Sequence, residues 1–208
     1  MKKKALSNIY IALIMLFLYA PMAVMVVMSF NGTSSTSVLS GFSLKWYGEL
    51  FNDRITLQAL SNTLVLAITS SILALIIGTL AAVGINAMRK KWIKNAVLTV
   101  TNIPMMNPEI VTGVSMMLLF VFVGHLVTTS DVLGFPTLLI AHVTFNLPYV
   151  ILSVLPKLKQ TDKHLGEAAQ DLGCTPVSAF FKVILPNISS GIITGFIMAF
   201  TLSFDDFL

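Results

Sequence analysis

Long apolar runs, separated by short basic or polar loops, constrain this chain more than any other feature. They occupy residues 9–28, 60–88, 96–123, 135–155 and 188–204. About 20 apolar residues, rising ~1.5 Å each along a helix, cross the ~30 Å of hydrocarbon in a bilayer. The third run is interrupted at Pro108 and the fifth is short, so their ends are the least defined. Only 11% of residues are charged and 56% are hydrophobic, whereas soluble domains are about 25% charged. A soluble fold would lack the polar surface to cover such a core. The expected fold class is therefore an all-α, multi-span membrane protein with five visible spans.

The first run follows Lys2, Lys3 and Lys4. It exceeds the roughly 7–15 residues of a signal-peptide core, and no small-residue cleavage site follows, so it reads as an uncleaved anchor. With the N-terminus in the cytoplasm, Lys2–Lys4, Arg89, Lys90, Lys91, Lys94, Lys157, Lys159, Lys163 and Lys182 all lie inside. Of the 13 basic residues only Lys45 and Arg54 are outside, a strong positive-inside bias. That placement explains the basic charge through the membrane and gives no reason to expect a nucleic-acid partner. The single cysteine, Cys174, excludes an internal disulfide framework and a multi-cysteine metal site.

Between the fourth and fifth runs lies a polar interlude, EAAQDLGCTPVSAFFKVILP, on the inner side. Its local signals predict two short helices. Asp162 is expected to cap the first, and Gly173 to end it in the left-handed conformation. Thr175 caps the second, with Pro176 at its first position, and Pro186 stops it. Ala168, Ala169 and Leu172 are expected on one close-approach side of the first helix. Phe180, Phe181, Val183 and Ile184 make the second helix apolar. A helix-turn-helix of this kind reads as a docking device.

Two stripes of small residues recur every fourth position: Ser70, Ala74, Gly78 and Ala82 in the second run, and Gly191, Gly195, Ala199 and Ser203 in the fifth. Such stripes let helices approach closely in lipid, either within this chain or against another. No glycine is followed by lysine, so the chain lacks the phosphate-binding Gly-Lys-Ser/Thr of a P-loop. His125, His142 and His164 have no metal-ligand spacing and read as packed or surface side chains. Nothing resembles a nucleophile elbow and no plausible catalytic set stands out, although sequence does not decide on a dispersed Ser–His–Asp triad, so the chain is not expected to be an enzyme. Intramembrane carboxylates are costly and face a pathway or protein. They are Glu109, beside the Pro108 break, and Asp205 and Asp206, at the end of the fifth run. With Phe204 and Phe207 beside the aspartates, they suit a cation carried on methylenes. Trp46 and Tyr47 read as an interfacial anchor or a partner contact. Asn31-Gly32-Thr33 is a sequon without expected meaning.

Glu167-Ala168-Ala169, then Gly173, Val183 and Leu185-Pro186, resembles the cytoplasmic loop of permease subunits of ATP-binding-cassette importers. The segments MSFNG, FSLKWYGELFND, NTLVLAITSSILALIIGTLAA, PEIVTGVSMMLLF and SFDDFL are similar to the second permease of spermidine/putrescine importers. The resemblance implies a plasma-membrane subunit whose loop, residues 157–187, docks in a cleft on a separate ATPase. Residues 1–58 would form the first span and external loop, and residues 59–208 the permease core. The implied partners are two copies of an ATP-binding subunit, a paralogous second permease and an extracytoplasmic substrate-binding protein. ATP and Mg would be bound by the ATPase, with no cofactor in this chain. Related permeases carry ferric iron, sulfate, phosphonate or thiamine, and an ATP-independent transporter or channel is the remaining alternative. The family pattern has six spans. Because the sequence stops at Leu208 within SFDDFL, a last span is expected to be lacking.

Overall fold

The computed structural model describes residues 2–34, 38, 40–127, 133–162 and 164–205. Their helices are α1 (Lys2–Ser29), α2 (Lys45–Asn52), α3 (Arg54–Ala87), α4 (Lys91–Met106), α5 (Glu109–Val127) and α6 (Phe135–Gln160). After α7 (Leu165–Asp171) and α8 (Pro176–Ala179) come a π-helical turn (Phe180–Ile184), α9 (Leu185–Asn187) and α10 (Ser189–Asp205). Four stretches are long and apolar enough to cross a membrane: Ser7–Ser29, Arg54–Ala87, Glu109–Leu126 and Phe135–Gln160. Pro176–Asn187 and Ser189–Asp205, bent by 72°, make a fifth if counted as one broken span. The chain is an all-α multi-span membrane protein, as its apolar runs predict.

The third run is broken at Pro108, as its sequence suggests. It is two helices, and only α5 is a span by itself. Asn107 is extended at φ −87° and ψ 144°, as expected of a residue whose α conformation is blocked by the following proline ring. The Pro108 carbonyl then accepts from the N–H groups of Val111 and Thr112, at 3.0 and 3.2 Å, and opens α5.

The chain divides into two compact units, Met1–Ser61 and Asn62–Leu208. In the first unit a knot follows α1, with Asn31 at its centre, only 2% exposed. Its Nδ2 donates to Val38 O (2.7 Å), and its Oδ1 accepts from Ser40 N–H (2.8 Å). Trp46 Nε1 donates to Asn31 O at 2.8 Å. Phe30 packs against Phe42 and Tyr47, with ring centroids 5.3 and 5.4 Å apart. The sequon asparagine is thus a structural hub, and Trp46 braces the loop. Asp53 opens α3, accepting from Ile55 N–H at 3.1 Å and Thr56 Oγ1 at 2.5 Å. The Thr56 hydroxyl, more than any other neighbour, holds the Asp53 carboxyl below the ordinary carboxylate range.

The core of the second unit is built from α3, α6 and α10. Each contributes a buried row with a four-residue repeat. Ser70, Ala74, Gly78 and Ala82 come from α3, His142, Asn146, Val150, Val154 and Leu158 from α6, and Gly191, Gly195, Ala199 and Ser203 from α10. Val150, fully buried, lies against both small-residue stripes. A Cβ on Gly78 would meet Val150 Cγ1 at 2.7 Å, and one on Gly195 would meet Val150 Cα at 3.4 Å. One on Gly191 would meet Lys157 Cγ at 2.8 Å and Ser153 O at 2.9 Å. Both stripes therefore serve packing within the chain. In lipid, close van der Waals contact of this kind holds helices together.

Candidate functional site

The polar interlude folds as a compact knuckle joining α6 to α10. Cys174 N–H donates to Ala169 O (3.0 Å) and Gly173 N–H to Gln170 O (2.8 Å). These two bonds form the Schellman ending that satisfies the last carbonyls of α7. Gly173 adopts φ +90°, a left-handed conformation that side chains with a Cβ resist. Thr175 Oγ1 accepts from Ser178 N–H at 3.2 Å, and Pro176 sits at the first position of α8. The expected stop of α7 and start of α8 are both present.

Three details differ from expectation. Asp162 does not cap α7. Its Oδ1 accepts from His164 N–H at 3.0 Å, a turn ahead of the helix, and His164 is the capping residue without a side-chain cap. Pro186 does not stop the second helix, because Phe180–Ile184 has widened into a π turn and α9 runs on to Asn187. A π turn re-registers the backbone bonds, so the missing proline N–H falls where it does little harm. The bend comes at Ile188, which is fully buried in the core and pins the corner.

Finally, Ala168, Ala169 and Leu172 do not share one docking face. Ala169 is buried, while Ala168 is exposed and Leu172 is 88% exposed. Consecutive residues of a helix point about 100° apart, so Ala169 closes the knuckle inward and Ala168 faces out. Glu167 is exposed, its Oε2 2.9 Å from His164 Nδ1. The outward surface also carries Val177 and Phe181, at 67% and 59% exposed. Val183 and Leu185 are half-buried, Gly173 and Pro186 exposed.

A second feature lies between α5 and α6. A cavity of about 410 Å³ is lined by Glu109, Met116, Met117, Phe120, His142 and Phe145, among others. Glu109 stands in the first turn of α5, where the helix dipole favours a negative charge. The other walls are mainly apolar and aromatic. Asp205, the last residue of α10, is exposed and does not line this cavity. Asp206 and Phe207 lie outside the described residues. Of the three carboxylates singled out from sequence, Glu109 alone is placed at the cavity.

Behind its wall lies a buried polar cluster that the sequence reading missed. Ser203 Oγ of α10 accepts from Asn146 Nδ2 at 2.7 Å. It also lies 2.9 Å from Ser70 Oγ of α3 and 3.2 Å from His142 Nδ1 of α6. Ser70 and Asn146 are at most 1% exposed, and Ser203 is 2% exposed. His142, 8% exposed, belongs to both the cluster and the cavity wall. Two signals could have pointed to it. His142 and Asn146 are one helical turn apart on an apolar run, and each small-residue stripe has a serine at one end.

Comparison with known proteins gives a consistent picture. Residues 74–208 match the family described as the binding-protein-dependent transport system inner membrane component. The putrescine transport system permease protein PotI of Escherichia coli K12 is 39% identical over 190 residues, covering 91% of this chain and 68% of that protein. The spermidine/putrescine transport system permease protein PotC of Haemophilus influenzae is 37% identical over 206 residues, covering 99% and 77%. A PotC homolog of Mycoplasma pneumoniae is 26% identical over 216 residues.

Proposed function

Because this chain belongs to the family of inner membrane components of binding-protein-dependent transport systems, we propose that it is the permease subunit of an ATP-driven importer of putrescine or spermidine. The knuckle carries this reading. Glu167, Ala168, Ala169, Gly173, Val183, Leu185 and Pro186 all fall within the knuckle, which runs directly into α10, the helix packed along α6. The polyamine substrate is supported by the relatives PotI and PotC, permeases of putrescine and spermidine/putrescine transport systems, and by a cavity with one carboxylate among aromatic and thioether walls. Such walls suit an ammonium group on a methylene chain.

In this reading the knuckle lies in the cytoplasm, as the distribution of Lys and Arg favours. It docks on an ATP-binding subunit, present in two copies, that binds ATP and Mg. A paralogous permease completes the pathway, and an extracytoplasmic protein delivers substrate. Closure of the ATPase pair draws the knuckles together, and the corner at Ile188 passes that movement to α10. Glu109, Asp205 and Asp206 provide negative charge along the route. Glu167 and Gly173 are the coupling positions, the first through its exposed charge and the second through its conformation.

Uptake of labelled putrescine, spermidine and ferric iron by cells carrying the complete importer tests this. The wild type should accumulate a polyamine and not iron. Reversing a charge at an interface costs several kcal/mol, so Glu167→Lys should cut uptake by at least about tenfold while the protein stays in the membrane. Gly173→Asp should do the same by straining the knuckle. Normal import by both variants would refute the coupling assignment.

A further inference from the structure

The hydrogen-bond valences around Ser203 define a two-state relay. Ser203 Oγ has one hydrogen and two lone pairs. The Asn146 amide nitrogen can only donate, so it occupies one lone pair at 2.7 Å. One donor and one acceptor function remain for Ser70 and His142. In one arrangement Ser203 donates to His142 Nδ1 and accepts from Ser70. In the other, His142 Nδ1–H donates to Ser203, Ser203 donates to Ser70, and Ser70 donates to Ala67 O, 3.2 Å away. The Ala67 carbonyl makes the second arrangement complete. A charged imidazolium, which donates from both nitrogens, fits only the second. A proton gained or lost at His142 Nδ1, with rotation of two hydroxyls, interconverts the two, and Ser203 keeps all three side-chain partners in both.

His142 also lines the cavity that contains Glu109. A proton taken up by its ring places positive charge on the wall of a mainly apolar space that holds one carboxylate. The ionisable groups on the helices packed around it are few. On α5 they are Glu109 in the cavity and the exposed His125. Residues 62–86 of α3, which include Ser70, have none. On α10 there is the exposed Asp205, and on α6 Tyr149, Lys157 and Lys159, about two to five turns further along. On α4, packed against α6, are Lys91 and Lys94, and Lys94 Nζ donates to Asn86 O.

Resting on the polyamine reading, we propose that His142 determines when the cavity admits a cation. Its neutral form admits an ammonium group beside Glu109, and its protonated form excludes it. Ser203 and Ser70 are the positioning residues that let the proton come and go without loosening α3, α6 and α10.

The test is the KM for putrescine in proteoliposomes holding the complete importer, with saturating binding protein and equal pH on both sides, from pH 8 to 5, where histidines titrate. Wild-type KM should climb as pH falls. Below the titration midpoint each pH unit removes about nine-tenths of the admitting form, so KM rises up to about tenfold per unit. His142→Asn should abolish the slope. Ser203→Ala removes the ring's hydroxyl partner in both forms and should shift the pH at which KM rises, and Ser203→Thr, which keeps the hydroxyl, should restore it. A wild-type KM flat across the range, the wild-type slope surviving in His142→Asn, or an unmoved rise in Ser203→Ala would each overturn the assignment. If His142→Asn fails to insert, the Ser203→Ala and Ser203→Thr pair decides. A wild type that takes up no diamine at any pH would instead overturn the polyamine reading, and the cation-admission role with it.

Discussion

The two ends of α10 are fastened to α6 by different physics. Near its start, Gly191 lets the helix backbone settle against Ser153 O and the Lys157 stem, leaving no room for one added carbon. Near its finish, Ser203 is held by side chains of Ser70, His142 and Asn146. Close packing has one arrangement, because interiors repack only at a cost. A hydroxyl cluster has several, because rotating an O–H moves no heavy atom. The knuckle is therefore joined to the end of α10 that is sterically fixed. The cavity wall is joined to the end whose bonds can be redrawn. The proposed mechanism, with movement entering at one end and charge sensed at the other, fits this asymmetry.

The sharpest way to break the comparison is at the packed end. In Gly191→Ala the new Cβ would sit 2.9 Å from a backbone oxygen, an atom that cannot rotate aside. The helix must shift, and overpacking of this kind costs about 1–3 kcal/mol. Thermal unfolding of the purified protein in detergent should show a clear loss of stability. The importer should also lose uptake, because the knuckle has moved relative to α6. If Gly191→Ala is as stable as the wild type, α10 is not sterically fixed at this end.

The hydrogen-bonded end should lose less. Ser203→Ala deprives three side chains of one partner, but Ser70 retains Ala67 O. Single polar contacts between membrane helices are worth about 0.6 kcal/mol on average and rarely exceed 2 kcal/mol. The same unfolding measurement should give a loss of about 1 kcal/mol, smaller than that of Gly191→Ala. The reverse order would mean that hydrogen bonds, and not packing, carry most of the attachment of α10.

The difference between the ends also governs what could be read from sequence. Gly173, Thr175 and Pro176 act on backbone groups within a few residues of themselves, so the α7 ending and the α8 start follow from local chemistry. The four-residue stripes were legible as close-approach surfaces, but not their common partner, Val150, which carries no small-residue signal. The polar cluster was the least legible element. Ser70 and Ser203 are 133 residues apart, and nothing local distinguishes a serine aimed at another helix from one that bonds its own carbonyl. Asp162 and Pro186 were misread for a related reason. Each has the right residue type for a cap or stop, but the preceding turn and the π turn decide where the helix begins and ends. Glu109 was legible because Pro108 announces a break and a carboxylate beside it is costly. That α6 would supply the opposite wall required the fold.

The smallest expected effect sharpens the point that a buried hydroxyl counts only if it is partnered. Thr79 of α3 is 7% exposed, and its Oγ1 has no hydrogen-bond partner, although it follows Gly78 at the tight contact with Val150. Ser70, two and a half turns earlier on the same helix, is fully buried but bonded to both Ala67 O and Ser203. Replacing an unpartnered buried hydroxyl by a methyl group of the same shape removes a desolvation cost and breaks no bond. Thr79→Val should therefore leave thermal stability unchanged or raise it by up to about 1 kcal/mol, whereas Ser70→Ala should lower it. A destabilised Thr79→Val protein would mean that Oγ1 is bonded in the assembled importer, and α3 would then carry a second polar tie beside the one at Ser203.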